Sequence, residues 1–330
     1  MRPNRGPCMT SAPIYEFAGL RIRSPLPLGA RLSRGPHFDV EVVVDEAAPL
    51  PFERPSADVV AERRDSHFVY YTFCRVPGGV TARFFGLGEF FISESLDRVV
   101  CHCAPGMEME YLSILLNGSI VAFLHAAQGR TVLHASAVRL GQRSIAVVGP
   151  SNQGKSTVAA ILCAAGASLL TDDVLVVDSD PGPVVLARRG SCELRLRPGT
   201  EAIADRFPAT TIRRPTVDQR MAFLPPAVSE ARVPLSAIVF PRPVPESTEV
   251  HARRLRMGEA ALLLGANQRI EGWRDAAVLR QQFQAVSDIV ARVPVIDLTL
   301  PWGPPYAADL AAQIVHACTI ATTDARELVL

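Results

Sequence analysis

Short runs of alternating apolar and polar residues fill the first third of the chain: "LRIRS" (20–24), "DVEVVVD" (39–45), "HFVYYTFCRV" (67–76), "VTARFFG" (80–86) and "EFFIS" (89–93). A period of two puts alternate side chains on one face, so these runs predict strands, and the "PGG" and Pro-rich breaks between them predict turns. The period changes near residue 106. Met109, Leu112, Leu115, Leu116, Ile120, Phe123 and Leu124 recur three and four apart, the mark of one apolar helical stripe, and Gly129 stands where a helix stops. Next, "TVLHASAVRL" (131–140) and "RSIAVVG" (143–149) read as two strands around the turn "GQ", followed by a helix over 154–165 and a β run, "SLLTDDVLVVD" (168–178). Strand, loop, helix, strand is the order of an α/β nucleotide-binding unit. Residues 181–245 are rich in proline and arginine and read as strands and loops, such as "AIVFPRP" (237–243); helical spacing returns over 257–292. The pattern predicts a β-rich domain over 1–105 and an α/β domain over 106–330, with no internal repeat.

Composition narrows the classes of function. At 330 residues the chain exceeds the ~250–300 at which single cores stop growing, in keeping with two domains. A hydrophobic share of 48% against 20% charged residues sets disorder aside. The formal net charge is +1, so no bulk field draws the protein to nucleic acid or an anionic membrane, and neither is expected as a partner. The longest apolar stretch, 111–127, is broken by Asn117, Gly118 and Ser119 and falls short of the ~20 residues that span a bilayer, so a core helix is expected. Seven scattered cysteines with no CxxC pair point away from a disulfide framework and from structural zinc; the "CHC" at 101–103 places neighbours on opposite faces of a strand. "MRPNRGPCMTSAP" at the N-terminus lacks the apolar segment of a signal peptide, so a reduced, cytoplasmic setting is expected. One number is out of line. Of 34 basic residues, 33 are arginine and one, Lys155, is lysine. A coding bias toward arginine explains the majority; the lone lysine needs a chemical reason.

That reason lies in "VVGPSNQGKST". The segment fits GxxxxGK[ST], with Gly149, Gly154, Lys155 and Ser156 in the fixed positions, between a β-branched strand and a helix. Such a loop turns backbone N–H groups inward at a helix N-terminus and makes an anion nest for phosphates. Pro150, Ser151, Asn152 and Gln153 complete it, and Asn152 is one of the few residues besides glycine that tolerates a left-handed backbone. Lys155 reaches the β and γ phosphates of ATP, Ser156 offers a hydroxyl to magnesium, and Thr157 lies beside it. Asp172 and Asp173 follow in "LLTDDVLVVD". If that strand packs beside the loop strand, its end lies near the phosphates, and the two carboxylates face opposite ways, one toward the metal and one toward an incoming hydroxyl. His134 lies on the strand before the loop; taken alone, a histidine there is more often a hydrogen-bonded core residue.

The stretch "LHASAV…VVGPSNQGKSTVAAILCAAGASLLTDDVLVVD" resembles the C-terminal catalytic domain of the HPr kinase/phosphorylase family, and within it the bacterial branch found with ribosomally made peptides, including lasso-peptide serine kinases. "AIVFPRP", "GEAALLLGANQ", "FQAVSDIVARVPVIDL" and the N-terminal "YEFAGLRIRSPLPL" are also similar to that branch. The resemblance implies a P-loop kinase domain behind a β-rich leading domain, and an ATP- and Mg2+-dependent kinase acting on a precursor peptide at its C-terminal serine. It makes Asp173 the base for the substrate hydroxyl, His134 the active-site histidine and Lys155 the phosphate-binding lysine. Magnesium falls to Ser156 and to a later glutamate, for which Glu193 in "SCELRLRPG" is the candidate, with Asp172 assisting. HPr kinases form hexamers, so self-assembly is implied too. The loop carries Lys-Ser-Thr where HPr kinases have Lys-Ser-Glu, and their Arg-Gly-Leu-Gly signature has no counterpart here, both of which point away from HPr as substrate.

The arginines in "ARRGSCELRLR", "TIRRPTVDQR" and "HARRLR" mostly read as a solvated surface; Arg197 is the candidate to grip a substrate carboxylate. Two rivals stay open: an HPr-type kinase/phosphorylase, and a nucleotide-dependent peptide-binding module that senses ATP without transferring phosphate.

Overall fold

The computed structural model describes residues 12–45, 53–55, 58–178 and 182–323. The first eleven residues of the N-terminal segment, Cys8 among them, lie outside these, as do 179–181 at the start of the Pro-rich region.

Nine strands between Ile14 and Cys103 form one sheet. Leu20–Arg23, Val40–Val44, Val69–Val76, Gly79–Phe84 and Gly88–Ser93 are the five that alternation predicts. Ile14–Phe17, Arg31–Leu32, Asp58–Arg64 and Arg98–Cys103 join them. The buried face of this sheet, with Ile22, Val42, Phe73, Phe90 and Ile92, shares one apolar cluster with Leu112, Leu116, Ile120 and Phe123. Phe73 stacks on Phe123 at 4.7 Å, and Phe123 on Trp273 at 5.8 Å. Burying such a side chain stabilises by ~1.5–3 kcal/mol, so the helix that carries these residues is held by the sheet.

That helix runs as an α segment, Met109–Leu115, a π turn, Leu116–Ile120, and a second α segment, Val121–Ala127. The polar interruption at 117–119 widens the helix instead of ending it. Asn117 donates from Nδ2 to the Ser113 carbonyl at 2.8 Å and accepts the Gly29 N–H at 3.0 Å, which keeps the wide turn's polar groups satisfied. The 19-residue helix is therefore longer than its apolar stretch indicates and is long and apolar enough to cross a membrane by length and composition; here most of its apolar window is buried inside the protein.

The second half is built on a six-stranded sheet, in the order Ser168–Thr171, Ala135–Leu140, Arg143–Val148, Ala237–Val244, Val295–Pro301, His251–Arg254. Arg143–Val148, Ala237–Val244 and Val295–Pro301 run parallel, which requires crossovers, and helices cover both faces. Val147 packs with Val158, Ile161, Leu310 and Ile314 of helices Lys155–Ala164 and Leu310–Thr323. Its neighbours Ala146 and Val148 pack on the other side with Leu264, Val286 and Ile289 of helices Met257–Gly265 and Ala276–Arg292.

Two sequence expectations need correction. "TVLHASAVRL" is not one strand but two, Thr131–Leu133 and Ala135–Leu140, broken at His134; "SLLTDDVLVVD" is likewise Ser168–Thr171 and Leu175–Asp178, broken at the Asp pair. Thr131–Leu133 pairs with Leu175–Asp178 in a separate four-stranded sheet, while Ala135–Leu140 pairs with Ser168–Thr171 in the six-stranded one. The Asp-pair strand is therefore one strand removed from the loop strand, with Ala135–Leu140 between them. Continuous apolar runs conceal the break because both sheets bury these residues on both faces. A three-stranded sheet, Leu194–Leu196, Met221–Leu224 and Ile212–Pro215, stands beside the site. The halves also join by backbone, since Glu62 N–H donates to the Gly272 carbonyl at 3.0 Å and Arg274 N–H to that of Val60 at 2.9 Å.

Candidate functional site

The chain leaves strand Arg143–Val148 and turns through 149–154 into helix Lys155–Ala164. Asn152 and Gly154 take left-handed conformations, with φ of 69° and 80°. Position 154 admits only glycine: an added Cβ would lie 2.4 Å from the Trp302 ring, which covers the turn. Lys155 is 6% exposed and folds back over the loop, donating from Nζ to the Pro150 carbonyl at 2.9 Å. Burial pushes its pKa down to about 8, against the pull of Asp173 and Asp172.

The two strand breaks coincide in space. Where both strands cross from one sheet to the other, the chain is freed from the ladder, and His134 and the Asp pair meet there. Asp172 turns toward the loop: its Oδ1 accepts from Ser136 Oγ at 2.5 Å and from Ser156 Oγ at 2.9 Å, and its Oδ2 from the Arg195 N–H at 3.2 Å. Asp173, in the left-handed region with φ of 70°, turns the other way; a non-glycine residue held there stores strain of the kind found at functional sites. His134 Nε2 lies 3.2 Å from its Oδ1, and Arg269 Nη2 donates to its Oδ2 at 2.8 Å. Burial works to raise the Asp173 pKa, but Arg269 and the His134 hydrogen bond outweigh it and hold the carboxyl well below the usual range. For His134, burial dominates and lowers the pKa despite Asp173, so the ring is neutral at pH 7 and Nε2 carries the proton.

Two cavities meet at these carboxylates. The first, about 620 Å³, is lined by Ser151, Asn152, Gly154, Lys155, Ser156 and Thr157, by His134 and the Asp pair, and by Trp302 and Tyr306. Six cations face it, Arg63, Lys155, Arg195, Arg197, Arg220 and Arg269, against three carboxylates, Asp172, Asp173 and Asp218. The size and the excess of cations suit an anionic ligand. The second, about 510 Å³, shares Ile114, Asp172, Asp173 and Arg195 with the first and continues on the far side.

The structure thus gathers His134, Lys155, Ser156, Asp172 and Asp173 at one point. Gly149, Pro150 and Gln153 complete the turn without lining the cavity. Glu193 stands apart: it lines the second cavity, and both its oxygens accept from Arg214 Nη2, at 3.0 and 2.9 Å. Arg197 lies exposed at the first cavity, which the 151–157 segment also lines, and not in the second. Among the described residues no three of His, Cys, Asp and Glu gather as a metal cluster, and the "CHC" strand ends with His102 Nδ1 beside the Asp45 carbonyl at 3.2 Å.

Arg269 and Gly118 are missed by sequence reasoning. Arg269 directly follows "GEAALLLGANQ", and only its ion pair with Asp173 marks it. Gly118, in the π turn, lets the helix come so close that an added Cβ would lie 2.6 Å from Arg269 Nη2 and 3.0 Å from Asp173 Oδ2. A π turn at a functional site is the one local signal, and an apolar pattern does not announce it.

No family model and no curated protein sequence matches the chain. The solved structure of the HPr(Ser) kinase/phosphatase from Coxiella burnetii is similar to it at a TM-score of 0.31 and 12% identity, over 57% of this chain and 96% of that one. A likeness at that level says nothing of activity, which has to be read from the site.

Proposed function

We propose that the protein is an ATP-dependent kinase that transfers the γ-phosphoryl group to a serine hydroxyl of a ribosomally made precursor peptide of the lasso type. The observation that supports this reading is the position of Asp173 at the junction of two cavities, one carrying Lys155 and the 149–157 turn, the other open to an acceptor. The precursor class comes from the sequence resemblance. In the step proposed, the acceptor oxygen bonds to the γ-phosphorus while the bond from that phosphorus to the β-bridging oxygen breaks, ADP leaves with the electron pair, and the hydroxyl proton passes to Asp173. A carboxylate held at low pKa is a weak base, so its main task is to orient the hydroxyl, in keeping with a loose transition state. Arg269 and His134 hold that carboxylate in place, and Lys155 meets the charge that develops on the phosphate oxygens.

Ser156 Oγ and Asp172 Oδ1, 2.9 Å apart, make an all-oxygen pair that fits magnesium, which takes one or two protein oxygens alongside phosphates. When bound there with ATP, the ion supplies charge neutralisation at the β and γ phosphates. Glu193, engaged by Arg214, does not belong to that set.

Incubation with γ-labelled ATP, magnesium and either a serine-containing lasso precursor or HPr tests the reading. Label on the precursor is expected. Label on HPr alone would favour the HPr-type rival, and ATP bound without any transfer would favour the sensor. Asp173→Asn is expected to bind ATP nearly as the wild type does yet lose about 10²–10⁴-fold in transfer, and full activity in this variant places the base elsewhere.

A further inference from the structure

We infer that the protein has a second ligand site, at the end of the six-stranded sheet opposite the Lys155 turn, which takes a small soluble anion with an apolar tail.

Two adjoining cavities make it. One, about 600 Å³, lies where strands Arg143–Val148 and Ala237–Val244 begin and is lined by Arg143, Arg254, Arg292 and Ser236. The other, about 480 Å³, is lined by Leu162 of helix Lys155–Ala164, by Ala312 and Val315 of helix Leu310–Thr323, and by Leu140. Both cavities share Leu140, Val315 and Thr319, so one ligand can occupy the two. The length of strand Arg143–Val148, ~17 Å at ~3.3 Å per residue, separates this place from the turn at 149–154.

Positive charge is left over here. Among the described residues neither cavity is lined by an aspartate or glutamate, and no carboxylate lies within ion-pair distance of Arg143 or Arg254. Elsewhere arginines meet carboxylates, as Arg188 meets Asp178 at 2.7 Å and Arg242 meets Asp297 at 2.8 Å. Arg143 donates from Nη1 to Thr319 Oγ1 at 2.6 Å, a neutral partner that leaves its charge uncompensated. Arg292 is already engaged, donating to the carbonyls of Asp288, at 3.0 Å, and Gly182, at 2.8 Å. The opposing field comes from the end of helix Leu310–Thr323, about half a unit of negative charge. Its last turn is satisfied from within: the Thr322 and Thr323 hydroxyls donate to the Thr319 carbonyl, each at 2.8 Å, and the Thr319 hydroxyl donates to that of Val315 at 2.8 Å. Arg143 and Arg254 therefore outweigh the helix end and favour an anion.

The apolar cavity sets the rest of the ligand. Apart from His316 and Thr319 its walls are aliphatic, so a tail leaves water there while the guanidiniums hold the head. A carboxylate and a phosphate both match the planar fork of arginine.

The test titrates the full chain with octanoate, octyl phosphate and octanol by calorimetry. One equivalent of an octyl anion is expected to bind at least about tenfold more tightly than octanol, and the better of the two heads identifies the natural one. Arg143→Gln combined with Arg254→Gln is expected to weaken the anion by about tenfold or more, and Ala312→Trp, at an exposed position, to block the tail to a similar extent. Unchanged thermal unfolding of both variants checks that they fold. No binding, equal binding of octanol, or anion binding that survives both variants overturns the site. So does binding only to phosphatidylglycerol vesicles, which would make the arginines a membrane-facing patch. None of these outcomes bears on phosphate transfer, so this site and the kinase reading fail separately.

Discussion

Lys155 is the only lysine in the chain, and its place in the turn offers a reason: a compact ammonium folds back onto the Pro150 carbonyl as a single-point donor, a geometry that a broad planar guanidinium does not reproduce. Lys155→Arg is therefore expected to retain the charge and lose transfer, and wild-type transfer by that variant would show that the nest accommodates a guanidinium. With a folded pKa of about 8 and an ordinary value of 10.5, the folded side chain gives up its proton first. Between those two values the unfolded chain binds more protons, so this group's contribution to stability increases as pH rises through the window. Amine acylation is expected to report this one side chain and the N-terminus, with the side-chain reaction titrating near pH 8 and suppressed by MgATP. A midpoint near 10.5 without protection would put the lysine in solvent. Asp173 has the opposite character: its depressed pKa keeps it ionised well into acid, and its stabilising pairings with Arg269 and His134 persist above its unfolded pKa and are lost only as pH falls through the folded one.

At the scale of elements, the site depends on places where regular structure gives way. Two strands change sheets at one seam, which frees His134 and the Asp pair from ladder pairing and lets neighbouring carboxylates serve different cavities. The long helix widens at Leu116–Ile120, and Gly118 in that turn lets the Asp173–Arg269 pair approach the backbone. Gly118→Ala adds one methyl group at a helical position with an ordinary backbone, so helix content by circular dichroism is expected to stay unchanged. The methyl pushes on Arg269 and Asp173, and a shift of that pair is expected to lower the transfer rate by ~10–100-fold. Unchanged kinetics in Gly118→Ala would mean that the pair has slack and that the π turn serves packing alone.

For the whole molecule, the nine-stranded sheet and the long helix share one core, and Pro27–Gly29 reach into the candidate acceptor cavity. Residues 106–330 expressed alone would expose Leu112, Leu116, Ile120 and Phe123, each worth ~1.5–3 kcal/mol on burial, against a typical total stability of ~5–15 kcal/mol. That fragment is expected to lack a cooperative unfolding transition; a cooperative, ATP-binding fragment would show that the second half has a sufficient core of its own. Much of this protein is legible along the chain. Alternation identified five of the nine strands in the first sheet, spacing identified the long helix, and the GxxxxGK[ST] motif between strand and helix located Lys155 and Ser156, because local backbone preferences and near-neighbour spacing determine such features. Strand breaks inside doubly buried apolar runs leave no local trace. Neither do the Arg269–Asp173 pair, the engagement of Glu193 by Arg214, or the placement of Arg197 at the cavity of Lys155. These are contacts between residues far apart in sequence, and only the packing of two sheets, the helix and the N-terminal loop around one seam decided them.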